Sequence, residues 1–376
     1  MADKPSVWPC PLRLGPHRSS PHYSRASTPP SEDKFAPITF SFLCNSEKYR
    51  NIICNTTHHG YQTVPHANSL HEPGQWCCST ATRGQSRHCD WSIEGYEGSL
   101  EILENLLNDA GIGVEIARNL ASKGCNVVIN YTSDSSTQTA EDLASELSAE
   151  YGIKALAVQA SMGSENGPKH LVEVTKNNFA HPKSGKFQLD VIINNAGVAG
   201  NNFVENVDCE DFARQFNINV RGPLLLLQAA IPYLPTDRSG RIVNLSSVSS
   251  SLGYKGQSIY GGTKAALESM TRTWSRELAE RCTVNAINPG PVATDMYWGN
   301  DEKFIAQNKP FIENTPLAAP RKGIDEERIY EASQGAGGRP AYSEEVAGVV
   351  GMLCLPEAGW TTGSVICANG GMRFSF

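Results

Sequence analysis

Six short apolar runs, at residues 126–130, 154–160, 190–194, 242–245, 283–287 and 364–368, constrain this chain more than any other feature. Each reads as a buried β-strand, and amphipathic helical patterns stand between them, including 139–149 and 171–179. Strands alternating with helices at this spacing build an α/β domain: a doubly wound parallel sheet of the Rossmann type, with helices on both faces. The portion carrying the pattern, residues 98–376, is a normal size for one such domain.

In open sheets of this kind, ligands bind beyond the carboxyl ends of the strands. Ser247 stands just past the run 242–245, Tyr260 follows thirteen residues later, and Lys264 four residues after that. A phenol titrates near ~10 in water, too high for a good proton shuttle at neutral pH. A lysine at i+4 on a helix shares the tyrosine's face, and its charge favours the phenolate. A serine hydroxyl beside the phenol can donate to a substrate oxygen where negative charge develops. The trio suits carbonyl reduction or alcohol oxidation. A Tyr-x-x-x-Lys pair alone is common on helix surfaces; its place between a strand end and a helix start gives it weight.

Further segments follow in order: Leu189-Asp-Val-Ile-Ile-Asn-Asn195-Ala196-Gly197, Asn217-Ile-Asn219-Val-Arg-Gly222, Asn288-Pro289-Gly290-Pro-Val292-Ala-Thr294, and Gly338-Arg-Pro340 through to Gly370-Gly371. With Ser247, Tyr260 and Lys264, they make the chain resemble the short-chain dehydrogenase/reductase family. Within it, the likeness runs toward β-ketoacyl carrier-protein reductases and hydroxynaphthalene reductases. The resemblance implies an NAD(P)-dependent ketone reductase in which Tyr260 donates a proton and Ser247 positions the carbonyl oxygen. Lys264 is implied to lower the tyrosine pKa and bond the nicotinamide ribose, and Asn219 to hold a proton-relaying water. Asn195, Ala196 and Gly197 are implied to brace the cofactor, and Pro289, Gly290, Val292 and Thr294 to hold its carboxamide. The implied substrate is a small-molecule ketone or alcohol, and the implied assembly a homodimer or homotetramer.

The nucleotide end departs from the pattern. Gly111-Ile112-Gly113 supplies the last two glycines of the family's phosphate loop, but Leu106 and Leu107 replace its usual Thr and first Gly. A leucine resists the positive φ that glycine accepts, and its Cβ crowds a pyrophosphate. Residues 100–107 also carry a helical spacing, and Glu101 and Glu104 suit poorly a strand buried on both faces. The first strand is therefore expected to be degenerate or missing. Two readings stay open: a working reductase, or a cofactor-defective member acting as a non-catalytic oligomerising scaffold.

At the tip of the second strand, Asn130-Tyr131-Thr132-Ser133 is neutral. An acid there would hold the ribose 2′-hydroxyl of NAD and repel a 2′-phosphate. The neutral tip favours NADP, with NAD-linked alcohol oxidation as the runner-up. Against this, Ala110 replaces an arginine that many NADP-dependent members carry before Gly111.

Residues 1–97 differ in kind, holding ten of the 22 prolines, seven of the nine histidines and six of the eleven cysteines. No helix or strand period persists there, so a low-order extension is expected. Its cysteines lack a second spaced pair, so no metal site is expected; a metal-dependent interaction module is a third functional reading. A net charge of −7 gives no basic footprint for nucleic acid. No run approaches the ~20 apolar residues needed to cross a bilayer. Scattered cysteines without a signal-peptide pattern point to a reduced, cytoplasmic setting. Residues 224–227 read as core or oligomer contact. The long segment 296–334, with Tyr297, Trp298, Phe304, Phe311 and Ile312, is expected to form a mobile lid over an apolar or aromatic ketone.

Overall fold

The computed structural model describes residues 111–374 and, as backbone only, the strand Leu100–Leu103. In chain order it opens with β1 (Leu100–Leu103), α1 (Ile112–Ala121), β2 (Asn126–Tyr131), α2 (Thr137–Tyr151), β3 (Ala155–Gln159), α3 (Gly167–Phe179) and β4 (Val191–Asn194). The middle comprises α4 (Cys209–Phe216), α5 (Gly222–Ala230), β5 (Gly240–Leu245), α6 (Ser249–Leu252), α7 (Ser258–Glu277) and β6 (Cys282–Ile287). It closes with α8 (Asp295–Trp298), α9 (Glu302–Glu313), α10 (Glu327–Ala336), α11 (Ser343–Cys354) and β7 (Val365–Ile366). The strands form one parallel sheet in the order β3-β2-β1-β4-β5-β6-β7, the doubly wound Rossmann arrangement.

The first strand corrects the sequence reading. Residues 100–103 are extended, not helical, and pair with Asn126 to Ile129 of β2 on one side and Val191 to Ile193 of β4 on the other. Left empty, that slot would orphan backbone groups on two inner strands, at about 1–3 kcal/mol for each buried group. Helix propensities differ by only about 0.7 kcal/mol among ordinary residues, so pairing overrides the local spacing. The strand is short, four residues against six in β2, β5 and β6, which is the degenerate form rather than the missing one. Leu106, Leu107, Ala110 and the whole 1–97 segment lie outside the described residues.

Period-two alternation divides the core between the two faces of the sheet. Val127, Ile129, Val191, Ile193, Val243 and Leu245 face one layer, packed with Ile116 and Leu120 of α1 and Val350 of α11. Val128, Ile192, Ile242 and Val284 face the other, packed with Leu171 of α3, Leu226 of α5 and Leu267 of α7. In the apolar run 224–227, Leu226 and Leu227 are buried as core, while Leu224 is 45% exposed.

The long segment after β6 carries α8, α9 and α10. Asp301 caps α9 by accepting from the Phe304 N–H at 2.7 Å. Its far end is pinned where buried Asp325 accepts from Arg321 Nη2 at 2.8 Å, with Arg339 at 3.8 Å. Among the described residues, no helix is long and apolar enough to cross a membrane, and no His/Cys/Asp/Glu group could hold a metal.

Candidate active site

The carboxyl ends of β4, β5 and β6 open into a cleft of about 470 Å³ that runs from the start of α1 to α9. β5 ends at Leu245 and α6 begins at Ser249, so Ser247 sits in the crossing between them and lines the cleft. Tyr260 and Lys264 fall in the first two turns of α7, on one face, and line the cleft beside it.

Burial pushes the Tyr260 phenol above its ordinary range, while its hydrogen bond with Ser247 pulls it back. The sequence reading makes Lys264 the main lowering influence. In the structure its Nζ lies 5.7 Å from the Tyr260 ring centre and donates to the Leu245 carbonyl at 2.6 Å. Desolvation therefore dominates, and the phenol is held protonated, the form a proton donor needs. Lys264 is itself only 3% exposed, and its bond to the Leu245 carbonyl holds Nζ at the carboxyl end of β5. A Cβ at Gly197 would stand 3.2 Å from Lys264 Nζ, close enough to press on the lysine.

Asn219 lies in a π-helical turn, Asn217–Arg221, between α4 and α5. Such turns often mark functional sites. Both protons of its carboxamide are engaged: Oδ1 accepts from the Val198 N–H at 2.9 Å, and Nδ2 donates to the Val198 carbonyl at 2.8 Å and Thr263 Oγ1 at 3.0 Å. The side chain thus locks the loop beside Gly197, and a relaying water could bond only the second lone pair of Oδ1 or the main chain.

The expected cofactor residues divide. Gly111, Ile112, Gly113, Tyr131, Asn195, Gly197, Pro289, Gly290, Val292 and Thr294 all line the cleft. Asn130 does not: it is fully buried, and its Nδ2 reaches the Val158 carbonyl at 3.1 Å and the Ala160 carbonyl at 2.9 Å, bracketing β2 to β3. Ala196 likewise is absent from the cleft and belongs to the buried core on the Val128 and Ile192 face. Strand alternation explains Asn130, since neighbouring residues of β2 face opposite ways.

Of the residues expected over the cleft, Tyr297, Phe304 and Ile312 line it. Trp298 instead packs against Arg328, 4.2 Å from its ring, and Phe311 rests edge-on to Tyr254 at 5.2 Å. Sequence reasoning missed Ser136, Asn201, Ser249, Tyr254, Gln257, Asn300 and Asn308, all of which line the cleft. Ser249 and Gln257 flank the Ser247 and Tyr260 positions, a signal that could have found them; the asparagines lie on distant segments and carry none.

A model of the short chain dehydrogenase family matches residues 108–303, more than half of the chain. The chain is a short-chain dehydrogenase. Among its relatives is the L-xylo-3-hexulose reductase of Hypocrea jecorina, 47% identical over 300 residues, covering 74% of this chain and 98% of the relative. The L-xylulose reductase of Aspergillus niger is 47% identical over 296 residues, with the same coverage. A hydroxynaphthalene reductase-like protein of Metarhizium majus is 34% identical, covering 69% of this chain and 90% of the relative. Among solved structures, a blue fluorescent protein from a metagenomic library in complex with NADPH superposes with a TM-score of 0.61. It is 28% identical and covers 74% of this chain and 99% of its own. This short-chain dehydrogenase is therefore an NAD(P)-dependent oxidoreductase.

Proposed function

We propose that this enzyme reduces a small ketose to a polyol with NADPH, using Tyr260 as the proton donor. The observation that carries the reading is the grouping of Ser247, Tyr260 and Lys264 in a cleft that is also lined by Asn201, Ser249, Gln257 and Asn300. These carboxamides and hydroxyls bond one another and keep further lone pairs and amide protons for substrate hydroxyls, which an aromatic ketone could not engage. The sugar reductases at 47% identity support that class over the aromatic ketone expected from sequence.

The residues present fit the nucleotide. Gly111 and Gly113 open α1, whose first N–H groups suit a phosphate, and the cleft continues past Gly197 to Pro289 and Thr294. Tyr131, Thr132, Ser133 and Ser136 form a hydroxyl-rich, uncharged end suited to a ribose 2′-phosphate. When bound, the nicotinamide supplies the hydride to the carbonyl carbon. Ser247 donates to the carbonyl oxygen as charge gathers there, and Tyr260 delivers its proton to complete the alcohol. Lys264 stands one turn away to stabilise the phenolate that remains.

The same reading includes assembly as a homodimer or homotetramer, for which half-exposed Phe212, stacked on Phe216, and Leu224 offer an apolar face. A cytoplasmic setting fits the five described cysteines, among which no disulfide forms. The test is NADPH consumption by the full-length chain across ketopentoses, ketohexoses and aromatic ketones. Preferential turnover of the sugars is expected; turnover of aromatic ketones alone would overturn the substrate class. Faster turnover with NADH would overturn the cofactor assignment.

A further inference from the structure

A chain of hydrogen bonds runs from α8 to the catalytic serine, and its direction is fixed. Asn300 Nδ2 donates to the main-chain carbonyls of Met296 at 3.1 Å and Tyr297 at 3.0 Å. Carbonyls only accept, so the Asn300 amide cannot be turned over, and its Oδ1 must face Asn201. Asn201 Nδ2 donates to that oxygen at 3.1 Å, and Asn201 Oδ1 accepts from Gln257 Nε2 at 2.9 Å. Gln257 Oε1 in turn accepts from the Ser249 hydroxyl at 2.6 Å. Each amide orients the next.

The consequence falls on Ser247. With its own proton committed to Gln257, the Ser249 hydroxyl can act toward Ser247 only as an acceptor. The Ser249 N–H meanwhile donates to Ser247 Oγ at 3.2 Å. Ser247 is left as a donor, at 3.2 Å to Ser249 Oγ in this resting state. That is the polarity it needs toward a developing alkoxide. The loop bearing Asn201 is braced against α4, where Arg214 donates to the Ala199 carbonyl at 3.3 Å and a Cβ at Gly200 would stand 2.8 Å from Asp211 Oδ2. Asn201, Ser249, Gln257 and Asn300 all line the cleft, and Asn300 joins the chain to two carbonyls of α8.

We infer that Asn201, Gln257 and Asn300 are positioning residues that set Ser247 as a hydrogen-bond donor and tie its readiness to the docking of α8. This rests on the proposed reductase reading, and the test separates the two. Asn201→Ala, Asn300→Ala and the double variant are compared with wild type for ketose reduction, NADPH binding and hydrogen exchange in residues 295–300. Each single variant is expected to lose roughly tenfold in kcat with NADPH affinity retained, on the scale of a modest misplacement of a catalytic group. The double variant is expected to lose no more than either single, because one chain is broken once. Exchange in 295–300 should quicken several-fold in Asn201→Ala. Wild-type kcat in both singles, or losses that multiply in the double, would overturn the inference. If the wild type turned over no ketose, the proposed function would fall, while unchanged exchange in Asn201→Ala would separately overturn the link to α8.

Discussion

The two ends of the cleft are built from different materials. At the end proposed as catalytic, the side chains are buried: Lys264 is 3% exposed, Asn219 fully buried, and each is held by named hydrogen bonds. At the nucleotide end, the start of α1 offers backbone groups, and the strand tip offers the exposed hydroxyls of Thr132 and Ser133. The departures from the family's sequence pattern at Leu106, Leu107 and Ala110 all belong to its phosphate-loop segment, whereas the Ser247, Tyr260 and Lys264 pattern is intact.

The largest effect should follow from breaking the catalytic end. Tyr260→Phe removes the proton donor and should cost roughly a thousandfold in ketose reduction while NADPH still binds. Steady-state kinetics beside a binding titration would check it. Ser247→Ala should cost roughly a hundredfold, the scale for one lost donor to a developing oxyanion. It carries a pH signature too. Because burial raises the Tyr260 pKa, the protonated donor persists at neutral pH. Reduction should therefore hold level there and fall only as pH rises through the folded-state value. Removing the lowering bond from Ser247 moves that fall to higher pH, visible in a pH–rate profile.

Smaller effects should mark the nucleotide end. Thr132→Asp places a carboxylate where the 2′-phosphate is expected, and should shift preference from NADPH toward NADH by about tenfold, close to 1.4 kcal/mol. The ratio of the two kcat/KM values reads this directly. Smallest of all, Leu106→Thr with Leu107→Gly should change turnover by no more than a few-fold. A large rescue of activity by that pair would instead favour the cofactor-defective scaffold.

Much of this contrast is legible in the sequence, and the gaps have physical causes. The strands β2 to β7 announce themselves as apolar runs because a parallel strand is buried on both faces. Ser247, Tyr260 and Lys264 are readable because strand end and helix start fix their geometry within a few turns of chain. β1 escapes a local reading because its pairing is decided by β2 and β4, which lie far along the chain. Asn130 is misassigned because sequence does not say which way it faces at the end of β2. Asn201 and Asn300 meet across 99 residues of sequence, a proximity no local pattern encodes. The dominance of burial over Lys264 in setting the Tyr260 phenol is likewise a property of the packed site.

The most direct test is NADPH binding to the purified full-length chain, followed by nucleotide fluorescence or calorimetry. Roughly micromolar affinity is expected, within the usual range for enzyme ligands. That affinity should survive in Tyr260→Phe. A folded chain that binds no NADPH would contradict the reductase assignment, leaving the catalytic residues in place over a cleft that cannot be supplied with hydride.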